Sequence, residues 1–578
     1  MKVCIVGSGF SGLSTASVLK YFGHDVTIYE AAASAGGVWS DSRRYPGLTT
    51  QNTKDTYALS SLPMPKHYPE WPTGEQVCEY LHAYADQHDL KSRMRLGTRV
   101  VETRRIKRST AELVDRQVEG GLAPVKWQVV DQHGQAEDFD HIVICTGTFD
   151  QPHLPNLKGK EEFEANGGQV LHSSQVHDSK TLKGKKVVVL GYGKSSHDLA
   201  YAASLAPAAS VTLVAKRLLH KLPRKLGGFL PYKYLLLTRL GEALFPYIRI
   251  TNPLEKALHH GPLRWLREAM LGSISSLVRF QLGLDSLGLV PPTPFEEIAC
   301  AKISLATPHF FSSVKRGDID VKAPYRIQRL AKGTITIYPI SSERSSKADD
   351  SDPTRPVADG VESKASAGAS ETTLDADVII CGTGWEQNAP TFLPQDVQES
   401  LLDDSGNWVL YRRVLPCSPL ASGITFNGFS SSLFCPTSSE AVALWIAAYL
   451  SQGRRMLPSS NLSREAQLDI LRTKAELDLE WLGKRSGGHH ARGTNVVPFS
   501  LHTIDELLAD AGVGLSLWNR LKEWLLPINP SAYKDLAPRL RERLESLQAP
   551  QGKKTVQSTS VSLCQNRVQS LIPCIQRG

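Results

Sequence analysis

The chain has 578 residues, of which 41% are hydrophobic and 21% are charged, so it is long enough to bury more than one core. Its formal net charge of +8 is modest for this length, and it contains no dense basic run with interleaved aromatic residues. These features argue against a nucleic-acid-binding protein and favour one that binds anionic small molecules.

Nine cysteines are scattered along the chain, and none of them form a Cys-x-x-Cys pair. This distribution predicts neither a disulfide framework nor a zinc site, and it favours a reducing compartment. The N-terminus leads directly into an apolar strand at residues 3–6 rather than into a secretory signal. We therefore expect a cytoplasmic protein without a metal site.

Residues 1–30 predict a strand, a glycine-rich turn, a helix and a second strand. The turn reads Gly7-Ser8-Gly9-Phe10-Ser11-Gly12, and Glu30 ends the second strand. In such a turn the first glycine makes the bend, the second lets the backbone approach a pyrophosphate, and the third packs helix against strand. Glu30 is positioned to accept hydrogen bonds from ribose hydroxyls, which predicts a dinucleotide with a free ribose hydroxyl.

A short loop, Gly36-Gly37-Val38-Trp39, follows this unit. Its two glycines permit a close approach of the backbone, and Trp39 offers a flat apolar face to a flavin. Further along, apolar strands at residues 141–145 and 376–381 end in the glycine turns Thr146-Gly147 and Gly382-Thr-Gly384.

Residues 185–217 repeat the opening pattern with different chemistry at the strand end. The turn reads Gly191-Tyr-Gly193-Lys-Ser195-Ser196, and the next strand is followed by Lys216 and Arg217. Serine is small enough to replace the third glycine. Two cations can bind a phosphate on the ribose, which a carboxylate would repel, so this site predicts NADPH rather than NADH.

The apolar stretch at residues 229–250 is interrupted by Lys233, Arg239 and Glu242. We expect a packed helical insertion here rather than a membrane segment. Contact of this stretch with a membrane surface is the alternative, which we do not expect. Across the wider stretch 226–330, the aromatic residues either wall a large apolar pocket or form a helical core: Phe229, Tyr232, Tyr234, Phe245, Tyr247, Trp265 and Phe280.

The expected fold class is α/β, with two Rossmann-like dinucleotide-binding domains of the three-layer type and a helical C-terminal region. The second domain is inserted in the first. The boundaries we expect are 1–155 and 374–455 for the FAD domain, 156–340 for the NADPH domain with a helical insertion at about 226–300, a disordered loop at 341–373, helices over 456–548 and a disordered tail at 549–578.

These motifs resemble those of the flavin-containing monooxygenase family, which is related to the N-oxide-forming and Baeyer–Villiger monooxygenases. The resemblance covers about residues 1–220 and 375–450. It implies FAD and NADPH as cofactors and Asn52 as the catalytic residue, because Gln51-Asn52-Thr53 is similar to the segment that places an asparagine beside the flavin. The implied cofactor-binding residues are Gly7, Ser8, Gly9, Phe10, Ser11, Gly12, Glu30, Val38, Trp39, Gln51, Asn52, Thr53, Gly147, Gly191, Gly193, Ser195, Ser196, Asp198, Lys216 and Arg217.

The resemblance also implies a cycle in which NADPH reduces FAD and O2 then gives a C4a-(hydro)peroxyflavin that oxygenates a lipophilic substrate. A tailoring step in secondary metabolism is one setting for such a reaction. The alternatives are a Baeyer–Villiger enzyme and a non-catalytic redox sensor. Against the first, the stretch from Phe163 to His172 is longer than in the family signature and lacks the closing Trp-Pro. A disulfide reductase is disfavoured, since no closely spaced cysteine pair is present.

Overall fold

The computed structural model describes residues 1–107, 125–250, 252–299, 304–340, 371–430, 433–486 and 501–548. The tail expected to be disordered lies outside these residues, as does the expected loop except for residues 371–373. The C-terminal helical region is described on both sides of residues 487–500.

The strands fall into two long parallel sheets and several short antiparallel ones. In the first half of the chain they are β1 Lys2–Val6, β2 Asp25–Tyr29, β3 Met94–Arg95, β4 Val100–Lys107, β5 Val125–Asp131, β6 Ala136–Phe139, β7 His141–Ile144, β8 Gln151–Pro152, β9 Gln169–His172, β10 Lys186–Leu190 and β11 Ser210–Val214. In the second half they are β12 Lys225–Leu226, β13 Leu230–Pro231, β14 Asp320–Lys322, β15 Tyr325–Ala331, β16 Thr334–Pro339, β17 Thr372–Asp375, β18 Val378–Cys381, β19 Trp385–Glu386, β20 Leu410–Tyr411, β21 Leu415–Pro416 and β22 Ile424–Phe426.

The α-helices flank the parallel sheets and form the insertion and the C-terminal region. They are α1 Phe10–Tyr21, α2 Gly74–Gln87, α3 Lys160–Ala165, α4 Lys194–Leu205, α5 Lys233–Leu236, α6 Arg239–Ala243, α7 Pro253–His260, α8 Arg264–Leu282, α9 Leu284–Leu287, α10 Phe310–Arg316, α11 Gln395–Ser400, α12 Cys435–Gln452, α13 Arg464–Ser486, α14 Leu501–Ala511, α15 Leu517–Leu525 and α16 Leu536–Gln548. None of these described helices is both long and apolar enough to span a membrane.

The first parallel sheet has the strand order β22-β7-β1-β2-β3. Its central strand β1 is apolar on both sides because both faces are covered. Val3 and Ile5 pack in the core that contains helix α1, whereas Cys4 and Val6 pack against the antiparallel sheet β4-β5-β6. The first unit therefore has three layers: helices, a parallel sheet and an antiparallel sheet.

The second parallel sheet has the order β14-β11-β10-β18-β9 and repeats this arrangement. Val187 and Val189 of its central strand β10 pack with helix α4. Val188 and Leu190 point the other way, into the core formed with the antiparallel sheet β15-β16-β17. The predicted α/β class with two units of the three-layer type is confirmed.

The chain crosses between the two units twice, and the two crossings pair as antiparallel strands β8 and β19. The strand β18, Val378–Cys381, pairs in parallel with β10, so it belongs to the second sheet. The expectation that the first unit resumes at residue 374 is therefore wrong for this strand. An apolar run that ends in glycine fits either parallel sheet, and its pattern alone does not specify which neighbour it pairs with.

The helical insertion lies within the second unit in sequence, between β11 and β14, but packs largely against the first. Tyr232, Leu236 and Ile274 share one core with helices α1 and α12 and with the C-terminal helices. By contrast, Leu284 and Leu289 pack in the core of the second unit. The insertion therefore joins the two units.

Buried ion pairs tie the C-terminal helices to the insertion. Arg239 of α6 lies 2.8 Å from the carboxylate of Glu523 in α15. The two ring nitrogens of His502 lie 3.0 Å from Glu242 and 2.9 Å from Glu255. Burial opposes a charge on His502, but the two carboxylates outweigh it and raise the pKa of the imidazole to about 10. His502 is therefore charged at neutral pH.

Candidate functional site

A single large cavity lies where the carboxyl ends of the two parallel sheets face each other. Its volume is ≈ 1850 Å³. Both glycine turns open into it, and so do the acidic and basic strand ends. The carboxyl edge of parallel strands is the usual ligand-binding edge of such sheets. Sixteen of the twenty residues in the expected set line this cavity: Gly7, Ser8, Gly9, Phe10, Ser11, Glu30, Val38, Trp39, Gln51, Asn52, Gly147, Gly191, Gly193, Ser195, Lys216 and Arg217.

The first glycine turn has the shape that a pyrophosphate needs. Gly7 adopts a φ of +107°, and a Cβ there would lie 2.5 Å from the carbonyl oxygen of Cys145. A Cβ on Gly12 would lie 1.9 Å from the carbonyl oxygen of Gly7, so helix α1 sits directly against the turn. Gly9 is the residue before α1 and leaves the N-terminal amides of that helix facing the cavity. These amides fit a phosphate group.

The Glu30 carboxylate lies at the rim of this turn and is already hydrogen-bonded. One oxygen accepts from the backbone N–H and the hydroxyl of Ser8, at 2.9 and 2.7 Å. The other accepts from the N–H of Ala32 at 2.8 Å. The oxygen that accepts from Ala32 has a second lone pair, so Glu30 can still accept from a ribose hydroxyl while it holds the turn in place.

The loop at residues 36–39 closes over the first turn. The N–H of Gly36 donates to the carbonyl oxygen of Ser8, at 3.2 Å, and a Cβ on Gly37 would lie 3.1 Å from Cα of Gly9. Trp39 is buried and makes an edge-to-face contact with Tyr57, with ring centroids 5.9 Å apart. The loop thus places an aromatic wall beside the cavity.

Asn52 lies deep in the cavity wall, with 1% of its surface exposed. Its side-chain amide donates to the carbonyl oxygen of Leu433 at 2.6 Å, and its amide oxygen accepts from the Tyr232 hydroxyl at 3.1 Å. Tyr232 also donates to the carbonyl oxygen of Gln51 at 2.8 Å. Residues from the insertion and from the loop before α12 therefore fix the orientation of this amide. One N–H remains for a ligand.

Polar residues near the start of helix α12, which were not predicted from the sequence, also line the cavity. Asn427, Ser430 and Ser438 lie there beside the N-terminus of helix α12. The side-chain oxygens of all three are buried and have no hydrogen-bond partner among the described residues. They fit the polar edge of a ring system bound against them. A buried strand followed by a serine-rich turn and a helix with proline in its first turn was the available signal.

The second glycine turn repeats the first with one difference. Gly191 has a φ of +103°, and a Cβ there would lie 2.5 Å from the carbonyl oxygen of Gly382. Gly193 precedes α4 and has open space around it. Ser196 occupies the place of the third glycine, and its hydroxyl donates to the carbonyl oxygens of Leu190 and Gly382 at 3.3 and 3.4 Å.

Lys216 and Arg217 follow strand β11 and are exposed at the cavity wall. They lie on the same side of the cavity as the second turn, because β10 and β11 are neighbours in the sheet. Two cations beside this helix N-terminus are suited to a phosphorylated ribose.

Asp198 does not line the cavity but joins elements behind it. Its carboxylate lies 2.5 Å from the ammonium group of Lys194 and accepts from the hydroxyls of Tyr45 and Thr307, at 3.1 and 2.5 Å. Burial lowers the pKa of Lys194, and Asp198 opposes this effect. Burial, and then Asp198, raise the pKa of Tyr45, so its hydroxyl stays protonated and donates. The first and second units are therefore linked here.

Three more of the expected residues also lie outside the cavity lining. Gly12 and Ser196 lie behind their turns, where each helix packs on its sheet. Thr53 is buried, with its hydroxyl 3.2 Å from that of Thr56. We also find His172 buried, with one ring nitrogen 3.0 Å from the carbonyl oxygen of Gly384.

The insertion contributes no aromatic wall to this cavity. None of the seven aromatic residues singled out between 229 and 280 lines it within the described parts of the chain. Tyr232, Phe245 and Tyr247 are buried in the helical core, whereas Phe229 and Phe280 are exposed. Tyr232 reaches the site through its hydrogen bonds to the side chain of Asn52 and to the carbonyl oxygen of Gln51.

Residues 1–267 match the model of the family "Flavin-binding monooxygenase-like". A probable flavin-containing monooxygenase of Arabidopsis thaliana is 27% identical over 92% of this chain and 96% of its own length. The human flavin-containing monooxygenase 1 is 30% identical over 35% of this chain and 38% of its own length.

Solved structures show the same fold. The S-allyl-L-cysteine S-oxygenase of Allium sativum aligns with a TM-score of 0.54 and 17% identity over 95% of both chains. The cyclohexanone monooxygenase of Rhodococcus sp. Phi1, bound to NADP+, aligns with a TM-score of 0.57 and 16% identity over 88% of this chain and 96% of that one.

Two dinucleotide turns that open into one cavity define a flavoprotein oxidoreductase that uses two nucleotides. With these relatives, the chain is similar to flavin-containing monooxygenases over most of its length, and the family model matches residues 1–267. It is an NADPH-dependent flavin monooxygenase, and its cofactors are FAD and NADPH.

Proposed function

We propose that this enzyme transfers one oxygen atom of O2 to a nitrogen or sulfur atom of a lipophilic organic substrate, with FAD bound at the first glycine turn and NADPH at the second. One observation carries the assignment: two turns of the same shape share a cavity, but one is followed by a carboxylate and the other by two cations. A tailoring step in secondary metabolism is the setting that we propose for this reaction.

The charges at the two strand ends support this division of the cofactors. Glu30 can accept hydrogen bonds from the hydroxyls of an unsubstituted ribose, and it would repel a phosphate there. Lys216 and Arg217 favour the phosphate that distinguishes NADPH from NADH. The N-termini of α1 and α4 supply amide donors to the two pyrophosphates.

The remaining residues orient the reactants and exclude water. When bound, FAD supplies the redox and oxygen-activating chemistry, for which the protein provides position and environment. The Asn52 amide, fixed by Tyr232 and Leu433, offers one N–H to the bound ligands. Apolar side chains of the lining, such as Tyr57 and Phe429, favour a lipophilic substrate.

The described cysteines support oxygen, rather than a disulfide, as the destination of the electrons. Cys145 and Cys435 both line the cavity, and both are free thiols. Burial raises the pKa of Cys145 to about 12 and that of Cys435 to about 11. Thiols that stay protonated are poor nucleophiles for disulfide exchange.

Purification and turnover test this proposal. We expect a yellow protein that consumes NADPH and O2 and, with isotopically labelled O2, places one labelled atom in an amine or sulfide product found by mass spectrometry. A protein that binds NADPH without oxidising it would instead be a sensor. Labelled lactone or ester from a ketone, with no heteroatom product, would replace the proposal by Baeyer–Villiger chemistry.

A further inference from the structure

Helix α15, Leu517–Leu525, is oriented with its apolar face outward. Leu517, Trp518, Leu521 and Leu525 are 74%, 64%, 53% and 72% exposed. Leu526 follows at 52%. Single exposed leucines are common on proteins, but a contiguous apolar stripe along one helix indicates an interaction surface.

The buried face of this helix is polar, and it fixes the orientation. Glu523 is 3% exposed, and one of its carboxylate oxygens accepts from two nitrogens of Arg239, at 3.0 and 2.8 Å. Its other oxygen accepts from the hydroxyl of Tyr533 at 2.9 Å. Turning the helix to bury its leucines would break this ion pair, which is costly for buried charges. The exposed stripe is therefore a fixed feature of the fold.

Cations flank the apolar stripe on both sides. At about 100° per residue, Leu517, Leu521, Leu525 and Trp518 span an arc of roughly 100°. Lys522 lies next to one edge of this arc, with its ammonium group 5.1 Å from the Trp518 ring centroid, and Arg520 lies next to the other edge. Both cations are exposed, and Glu523, the acidic residue of the helix, is buried.

We propose that α15 docks this enzyme on the surface of an anionic lipid bilayer. An apolar stripe with tryptophan and leucine and with cations along its edges is the pattern of helices that lie in the membrane interface. The leucines and Trp518 would enter the acyl boundary, while Lys522 meets lipid phosphates. Arg520, which also pairs with Asp505 at 2.8 Å, borders the other edge of the stripe. This docking differs from spanning the membrane, and it lies on a different helix from the apolar stretch at residues 229–250.

A second copy of the chain is a poorer occupant for this face. Stable protein interfaces bury about 800 Å² on each partner. One tryptophan and three leucines that are 53% to 74% exposed fall short of that area, since even a fully buried large aromatic residue contributes only about 150–250 Å². A lipid surface needs no such complementary area.

Vesicle binding by the full-length protein tests the proposal. The probes are vesicles of phosphatidylcholine alone and vesicles that also contain phosphatidylserine, read out by co-sedimentation. We expect binding to the anionic vesicles that weakens as salt is raised, because the Debye length shortens. The double variant Leu521→Glu with Leu525→Glu should bind at least tenfold more weakly, and Lys522→Gln should lose a smaller factor.

Leu205→Glu is the matched control, because Leu205 is a 67% exposed leucine at the end of α4 on the second unit. It should bind vesicles like the wild type. NADPH oxidation in solution should be unchanged in all these variants, so loss of vesicle binding is separable from failure of the proposed reaction.

Three results would overturn the proposal. The first is no binding of the wild type to anionic vesicles, and the second is equal loss in the Leu205→Glu control. The third is a dimer in light scattering that the α15 double variant converts to a monomer without any vesicle binding, since the face would then serve a second copy.

Discussion

The two glycine turns of this enzyme have the same backbone and different side chains. Each bends at a glycine with positive φ, precedes a helix and opens into the shared cavity. In the turns, Phe10 and Gly12 of the first correspond to Lys194 and Ser196 of the second. Glu30 directly follows β2, whereas Lys216 lies two residues after β11. In both sites the backbone therefore fits a pyrophosphate, whereas the charges of the side chains select the nucleotide.

Substitution at the third glycine position, which is Gly12 in the first turn and Ser196 in the second, should distinguish the two sites most strongly. In Gly12→Ala the new Cβ would lie 1.9 Å from the carbonyl oxygen of Gly7, so helix α1 must move. We expect loss of bound FAD and destabilisation by about 3 kcal/mol, as for severe overpacking. The measurements are flavin absorbance after purification and thermal unfolding.

Ser196→Ala is the matched variant in the second turn. It removes only two long hydrogen bonds, so we expect a change below about 1 kcal/mol and normal FAD content. If Gly12→Ala kept its flavin and its melting temperature, the close packing assigned to the first turn would be wrong.

The cations after β11 should give the next largest effect. Without Lys216 and Arg217, charge-assisted hydrogen bonds to a ribose phosphate are lost, at about 1.5–3 kcal/mol in total. The variant with both residues changed to alanine should therefore raise the KM for NADPH by roughly tenfold to a hundredfold. Steady-state kinetics with NADPH and NADH in parallel measure this change.

In the same experiment the KM for NADH should stay within about twofold, because NADH lacks the phosphate. Lys183→Ala, an exposed lysine elsewhere on the second unit, serves as the control. An equal rise of both KM values would show that the two cations do not read the phosphate.

Variants of Asn52 test whether the FAD site and the NADPH site serve one oxygenation reaction. Asn52→Ala removes the fixed amide from the cavity wall, and we expect NADPH oxidation to continue with roughly tenfold more hydrogen peroxide released for each NADPH consumed. Tyr232→Phe removes only the hydroxyl that holds the Asn52 oxygen, so it should have a smaller effect in the same direction. Unchanged coupling in Asn52→Ala would exclude the proposed role.

The hydrogen bond between Tyr45 and Asp198 should give the smallest effect. Tyr45→Phe removes one contact between the units, worth about 1 kcal/mol, and leaves Lys194 paired with Asp198. We expect the KM for NADPH to rise less than about fivefold with FAD content unchanged. Tyr201→Phe, on α4 of the second unit, is the control. A loss of flavin in Tyr45→Phe would place this contact in the first site instead.

Much of the fold and of the two turns could be predicted from the sequence. Local features can be predicted from a single sequence. They include the glycine spacing, the apolar strands and the charges of Glu30 and Lys216. The partner of strand β18 could not be predicted, because its apolar run fits either parallel sheet.

The rest of the site depends on contacts between distant segments. The serine-rich turn is only a weak local signal for Asn427, Ser430 and Ser438, and their place in the site depends on β22 joining the first sheet. The link between Tyr232 and Asn52 joins residues 180 positions apart. The outward stripe of α15 depends on the ion pair of Glu523 with Arg239, which sequence periodicity does not report.

A crystal structure of the enzyme with FAD and NADP+ tests the division of the two nucleotides most directly. We predict that the adenosine ribose of FAD lies within hydrogen-bonding distance of Glu30, and that the ribose phosphate of NADP+ contacts Lys216 or Arg217. If the phosphate lay away from both cations, or if NADP+ occupied the turn at residues 7–12, the account given for the two turns would be contradicted.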